Sequence, residues 1–146
     1  MSEANFLKAH TMTLHSYNPE RTAQPFEFYI LCKGNNSGRP MATACPNCFT
    51  CVCDSPEEKD FYFWLCFGLW KAKHFHPYLF GSVIPYIRIS DCKKILQLQA
   101  GMVDRLAWMA TVQKVLALEA HEKNIRQQLQ LLNSMKVAII RQHIRQ

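Results

Sequence analysis

Proline and glycine are missing from the last third of this chain: after Gly101 neither occurs in the remaining 45 residues. With both helix-breaking residues absent, one long helix is expected there. Acidic residues are missing from the tail as well. None follows Glu122, so the segment from Lys123 to Arg145 is charged by cations alone. No run is apolar for the ~20 residues that a membrane-spanning helix needs, and the opening MSEANFLKAHTMTLHSYNPE lacks the basic start and apolar stretch of an export signal. A soluble, cytoplasmic protein with no membrane partner is expected. The chain also has no GKS or GKT phosphate-binding loop, no paired carboxylates and no PD-ExK-like nuclease pattern. ATP or GTP binding is thereby rejected, and neither enzymatic activity nor a cofactor is expected.

What is present points to one domain with an appendage. The chain has 146 residues, 49% of them hydrophobic and 19% charged, a composition that is neither disordered nor low-complexity. The net charge of +6 is uneven: residues 1–100 hold ten Lys or Arg against eight Asp or Glu, and residues 101–146 hold seven against three. A cationic face of this kind suits a phosphate backbone or an acidic partner, because counterion release is a sequence-independent source of affinity.

Seven cysteines are present, four of them crowded into CPNCFTCVC as Cys45, Cys48, Cys51 and Cys53. The CxxC pair Cys45 and Cys48 is able to grip zinc, with Cys51 and Cys53 or His74 and His76 completing four ligands. A structural zinc site more often shows two separated pairs. In an extended strand, moreover, Cys51 and Cys53 point to one face while Cys48 and Val52 point to the other. Reduced, buried thiols acting as small apolar groups are therefore the simpler expectation, with no metal.

Residues 1–25 are polar and carry Pro19 and Pro25, so irregular structure or an edge strand is expected. FEFYILCKG, from Phe26 to Gly34, reads as a strand, and Phe49 to Asp54 as a second. Between them KGNNSGRP forms a loop with Lys33, Asn35, Asn36 and Arg39. The segment DSPEEKDF opens a helix over about residues 55–73, with Asp54 or Ser55 as cap, Pro56 in the first turn, and Glu57 and Glu58 where the helix dipole favours anions. Its continuation FYFWLCFGLW is apolar nearly all round. That predicts a buried aromatic helix, with Trp64 and Trp70 in the core and Gly68 admitting another backbone. Lys71, Lys73, His74 and His76 form a basic exit.

After Pro77, YLFGSVIPYIRIS reads as a bent strand or strand pair. Ser90 or Asp91 then caps a short helix presenting Lys93 and Lys94. Beyond Gly101 apolar residues recur every three or four positions, among them Leu106, Met109, Val112 and Val115. Unbroken from Val103 to Ile144 this helix spans about 60 Å, with His121 the place where a break is expected if one occurs. A domain of the remaining residues is shorter than that. The distal half is therefore expected to pair with a second helix along Leu118, Ile125, Leu129, Leu132 and Ile139.

The predicted fold is α+β: a small mixed β-sheet with a buried aromatic helix, residues 1–100, and a long C-terminal helix or helix pair, residues 101–146. The order DFYFWLCFGLW, FGSVIPYIRISDCKKI and VQKVLALEAHEKNIRQQLQLLNSMKVAIIRQ resembles the end of a target-recognition domain and its adjoining helix in specificity subunits of type I restriction-modification enzymes. CPNCF, FYFWLC-GLW and GSVIP also resemble segments of small proteins of unknown function from Bacteroides-type bacteria.

The first resemblance implies a DNA-binding module. A full specificity subunit has two recognition domains and two long helices, whereas this chain has one of each, so half a subunit that dimerises, or pairs with another helical subunit, is implied. Gly81, Ser82, Ile84 and Ile87 would then be structural. Charge and loop chemistry make Lys33, Arg39, Lys71, Lys73, Arg88, Lys93 and Lys94 the candidates for phosphate in double-stranded DNA, and Asn35 and Asn36 the candidates for base edges. The competing expectation is a protein-interaction adaptor of a mobile element that has lost DNA reading.

Overall fold

A computed structural model describes residues 12–144. The chain divides into two compact units, residues 1–109 and 110–146. The first is built on a four-stranded sheet of β1 (Met12–Ser16), β2 (Glu27–Leu31), β3 (Pro40–Met41) and β4 (Cys48–Cys53). The spatial order is β1-β4-β2-β3. All three pairings are antiparallel, so the sheet is not of the mixed kind that the sequence suggests. The proline-punctuated N-terminal region does supply an edge strand, β1, and the expectation for residues 1–11 lies outside the described residues.

Alternation along the strands sorts the side chains onto two faces. Met12 and Leu14 of β1, Phe28 and Ile30 of β2, and Phe49, Cys51 and Cys53 of β4 are buried on one of them. Helix α1 (Pro56–Lys71) covers this face with Phe61, Tyr62, Leu65, Cys66 and Leu69. Its start follows the predicted chemistry, for the Ser55 side chain accepts a hydrogen bond from the Glu58 N–H at 3.1 Å. Helix α2 (Ile89–Met102) adds Cys92, Ile95, Leu96 and Ala100 to the same core. No helix among the described residues is long and apolar enough to cross a membrane.

Three local expectations are corrected. The segment after Pro77 forms no strand: a 3-10 turn at His76–Tyr78 is followed by a loop closed by Phe80 and Tyr86, whose backbones exchange two hydrogen bonds of 2.8 Å. Gly81, at φ +99°, turns the chain too tightly for a ladder to extend, which leaves Val83 and Ile84 exposed despite their sheet preference. Helix α2 begins at Ile89 with Arg88 as its cap and runs through Gly101, so Ser90 and Asp91 lie inside its first turn. Gly68 admits no backbone. A Cβ there would lie 2.2 Å from the Trp108 indole, so the missing side chain seats an aromatic ring.

Helix α3 (Arg105–Arg141) is continuous through His121 and spans 37 residues, about 55 Å. Asp104 starts it by accepting from the Ala107 N–H at 2.9 Å. In the first turn, both terminal nitrogens of Arg105 donate to the Glu58 carboxylate, and its guanidinium lies 4.0 Å from the centre of the Phe61 ring.

Candidate functional site

The loop between β2 and β3 is a packed feature, despite a composition that suggests an open turn. Gly34 and Gly38 hold φ near +94° and +100°, backbone that other residues adopt at a cost. The buried Ser37 hydroxyl donates to the Gly34 carbonyl at 2.7 Å, and the Cys66 thiol donates to the Gly38 carbonyl at 2.9 Å. Gly38 lies flat against Phe75, so the turn after α1 is in direct contact with the loop. On the other side the Gly34 N–H donates to the Pro85 carbonyl at 2.7 Å, and the Ile87 N–H donates to the Cys32 carbonyl at 3.0 Å.

Three segments distant in sequence thus meet: residues 33–39, the turn around Phe75, and residues 80–88. Together they carry Lys33, Asn35, Asn36, Arg39, Lys73 and Arg88, all exposed. Arg88 is not free to reach outward, because its guanidinium pairs with Asp91 at 2.9 Å and lies 4.2 Å from the centre of the Phe80 ring. Lys71 sits at the end of α1 with its ammonium 5.7 Å from the centre of the Trp70 ring. Lys93 and Lys94 are exposed in the first half of α2. The same region of the chain exposes large apolar side chains at Tyr78, Phe80, Val83, Ile84 and Tyr86.

The sequence pattern gave no warning of a recess on the opposite face of the sheet. It encloses about 180 Å³ and is lined by Tyr17, Arg21, Glu27, Tyr29 and Thr50 among others. The Tyr29 hydroxyl donates to Glu27 at 2.8 Å, and this bond, with some burial, pushes the phenol up to about 12. The space is below the roughly 300 Å³ of ordinary small-molecule pockets. It forms where the segment after β1 lies beside paired residues of β2 and β4. Trp64, expected in the core, is half-buried and lines a second shallow recess with Phe28 and Phe63, while Trp70 is half-buried at the core's edge.

The cysteine quartet is not brought together. Cys51 and Cys53 share the core face, whereas the Cys48 thiol donates to the Cys45 carbonyl at 3.0 Å. Among the described residues no group of three or more His, Cys, Asp or Glu could hold a metal ion, so Cys45, Cys48, Cys51 and Cys53 do not form the zinc tetrad that their spacing allows. Burial raises the thiols of Cys48, to about 11, and Cys92, to about 12, and holds that of Cys66 well above its ordinary value. The Cys51 thiol is also raised, first by its hydrogen bond to Cys53 and then by burial.

A raised thiol contributes stability that is complete below the unfolded value near 9 and is lost as pH climbs through the folded value, because the unfolded chain ionises first. Thermal melts are therefore expected to fall between about pH 9 and 12, with Cys92 alone costing on the order of 2 kcal/mol at about pH 10.5. Iodoacetamide labelling near neutral pH followed by mass spectrometry should modify Cys45 first and leave Cys51, Cys66 and Cys92 intact until the protein is denatured.

On the C-terminal unit, Leu118, Ile125, Leu129, Leu132 and Ile139 are all exposed, from 43% at Ile125 to 68% at Leu118. Leu131, Met135 and Ile140, not assigned to the predicted seam, are exposed beside them. The chain matches no curated protein. Residues 14–142 match a family of unknown function, DUF6943, and the chain belongs to that family.

Proposed function

We propose that this protein is a non-enzymatic DNA-binding module that pairs through α3. The observation that carries the pairing is the row of large apolar side chains left exposed along the distal half of that helix. Monomeric proteins rarely leave a contiguous apolar face of such extent uncovered. The DNA face rests on the cations of the loop surface, chiefly Lys33, Arg39 and Lys73, which stand on segments locked together by packing. Exposed cations held on a rigid frame neutralise phosphates at a smaller cost in side-chain and loop ordering than cations on a floppy tail. Asn35 and Asn36, at the loop tip, offer amides to base edges. In this reading the chain corresponds to half of a type I restriction specificity subunit, with pairing supplying the second half-site.

The test is retention of duplex DNA at low and at physiological salt. The triple variant Lys33→Gln, Arg39→Gln, Lys73→Gln is expected to bind more weakly to every sequence and to lower the slope of log affinity against log salt by about 3, since each phosphate contact contributes about 0.9. An unchanged slope would remove these residues from the interface.

A second reading, a protein-interaction adaptor of a mobile element, is favoured by the apolar side chains on the same surface, with Val83 88% exposed. It predicts salt-insensitive association with a protein partner and no retention of duplex.

A further inference from the structure

The pairing proposed above leaves the direction of the helices open, and the charges within the seam decide it. Leu118, Ile125, Leu132 and Ile139 recur every seven residues on α3, and the positions three residues earlier are Val115, Glu122, Leu129 and Lys136. That is the spacing of a coiled coil. One of the two sets is wholly apolar, while the other carries an acid and a base on either side of Leu129. Met135 and Ile140 widen the apolar stripe.

In a parallel, in-register pair each of these residues meets its own copy. Glu122 would meet Glu122, eased by Arg126, which already donates to the Glu122 carboxylate at 2.8 Å within one helix. Lys136 would meet Lys136 with no such relief. The neighbours one turn away on its own helix are Leu132, Asn133, Ile139 and Ile140, and the last acid of the chain, Glu122, lies fourteen residues back, about 21 Å along the axis.

An antiparallel pair changes this. With Leu129 level with Leu132 of the second copy, Glu122 comes level with Ile139 and Lys136 comes level with Ile125. Glu122 and Lys136 of opposite copies are then only three residues apart in height, about 4.5 Å, within reach of each other twice per pair. We propose that a second copy of this chain covers the apolar face of α3, running antiparallel, with Glu122 and Lys136 as the residues that select that direction. The proposal rests on the pairing reading and adds the identity and orientation of the occupant.

Charge reversal in the full-length protein tests it, read by light scattering and sedimentation equilibrium. Glu122→Lys places two ammonium groups opposite each other at both ends of the seam and is expected to weaken the pair about tenfold. Lys136→Glu, which opposes two carboxylates in the same way, is expected to do the same, and the double variant E122K/K136E to regain the natural affinity. Both residues are exposed in the single chain, so folding is not at stake, and unchanged helical dichroism of the separated chains confirms that. A parallel pair behaves otherwise: Lys136→Glu only exchanges one like-charge encounter for another and pairs as the natural chain does, while Glu122→Lys loses the relief that Arg126 gives and E122K/K136E does not regain it. That result, or a pair tightened by either single reversal, overturns the orientation and leaves the pairing intact. A natural protein that stays monomeric at all concentrations overturns both.

Discussion

A chain carrying Leu129→Asp and Leu132→Asp is expected to sediment as a monomer at concentrations where the natural sequence pairs. Both side chains are more than half exposed in the single chain, so the substitutions remove nothing from the core of residues 1–109. In the pair each would be buried in the centre of the seam, and each copy would bring two unpaired carboxylates into it. Central interface residues are commonly worth about 2 kcal/mol or more each, so the dissociation constant should rise about a thousandfold or beyond. The globular unit should melt at its original temperature. Loss of helical signal should be confined to α3, whose distal half then has no surface to pack on. If both proteins are monomeric, the seam serves a different occupant; if both remain paired, association runs through another surface.

Gly38→Ala is expected to be among the most destabilising single-methyl changes in the molecule. Two costs coincide at this position. Its φ of +100° is unfavourable for any residue bearing a Cβ, and that Cβ would lie 2.2 Å from the Phe75 ring, itself buried. The backbone cost is roughly 1–2 kcal/mol and the overpacking roughly 1–3 kcal/mol, so a loss of about 3 kcal/mol is expected. For a unit of about 100 residues that lowers the melting temperature by at least about 12 °C.

Two other glycines separate the contributions. Gly34→Ala, at φ +94° with open space around the new methyl, should show the backbone cost alone. Gly101→Ala, inside α2 and also in open space, should be neutral or should stabilise by up to about 1 kcal/mol. Equal losses at Gly38 and Gly34 would mean that Phe75 yields, and that the loop carrying Lys33 and Arg39 is less firmly seated than its packing implies.

Much of this architecture is legible in short stretches of sequence. Ser55, Pro56, Glu57 and Glu58 announce the start of α1 because capping and dipole chemistry act within one turn, and the hydrogen bond from the Glu58 N–H to Ser55 is found where that chemistry places it. EFYIL and CFTCVC lie in strands for an equally local reason, their richness in aromatic and β-branched residues. The absence of Pro and Gly after Gly101 correctly announces α3. The same local reasoning failed at Val83 and Ile84. Sheet preference is realised only where a partner strand offers a ladder, and Lys33 and Phe80 offer Tyr86 no more than isolated bridges.

The loop surface shows the same division. Its cations were evident as residues, but their gathering depends on Gly38 accepting Phe75 and on Gly34 meeting Pro85, partners 37 and 51 positions away. Gly68 reads as a gap for a backbone until Trp108 is found filling it.

The strand character of β2 and β4, the helical character and cap of α1, and the heptad spacing of α3 are set by neighbours within about seven residues, so composition and order suffice to establish them. Long-range packing settles the rest: β4 in the middle of the sheet, Arg105 held by Glu58, the thiols of CPNCFTCVC sent to different surroundings, and the loop drawn onto the turn after α1. Those outcomes depend on which distant side chain best fills a given space, a property of the closed fold that no window of sequence contains.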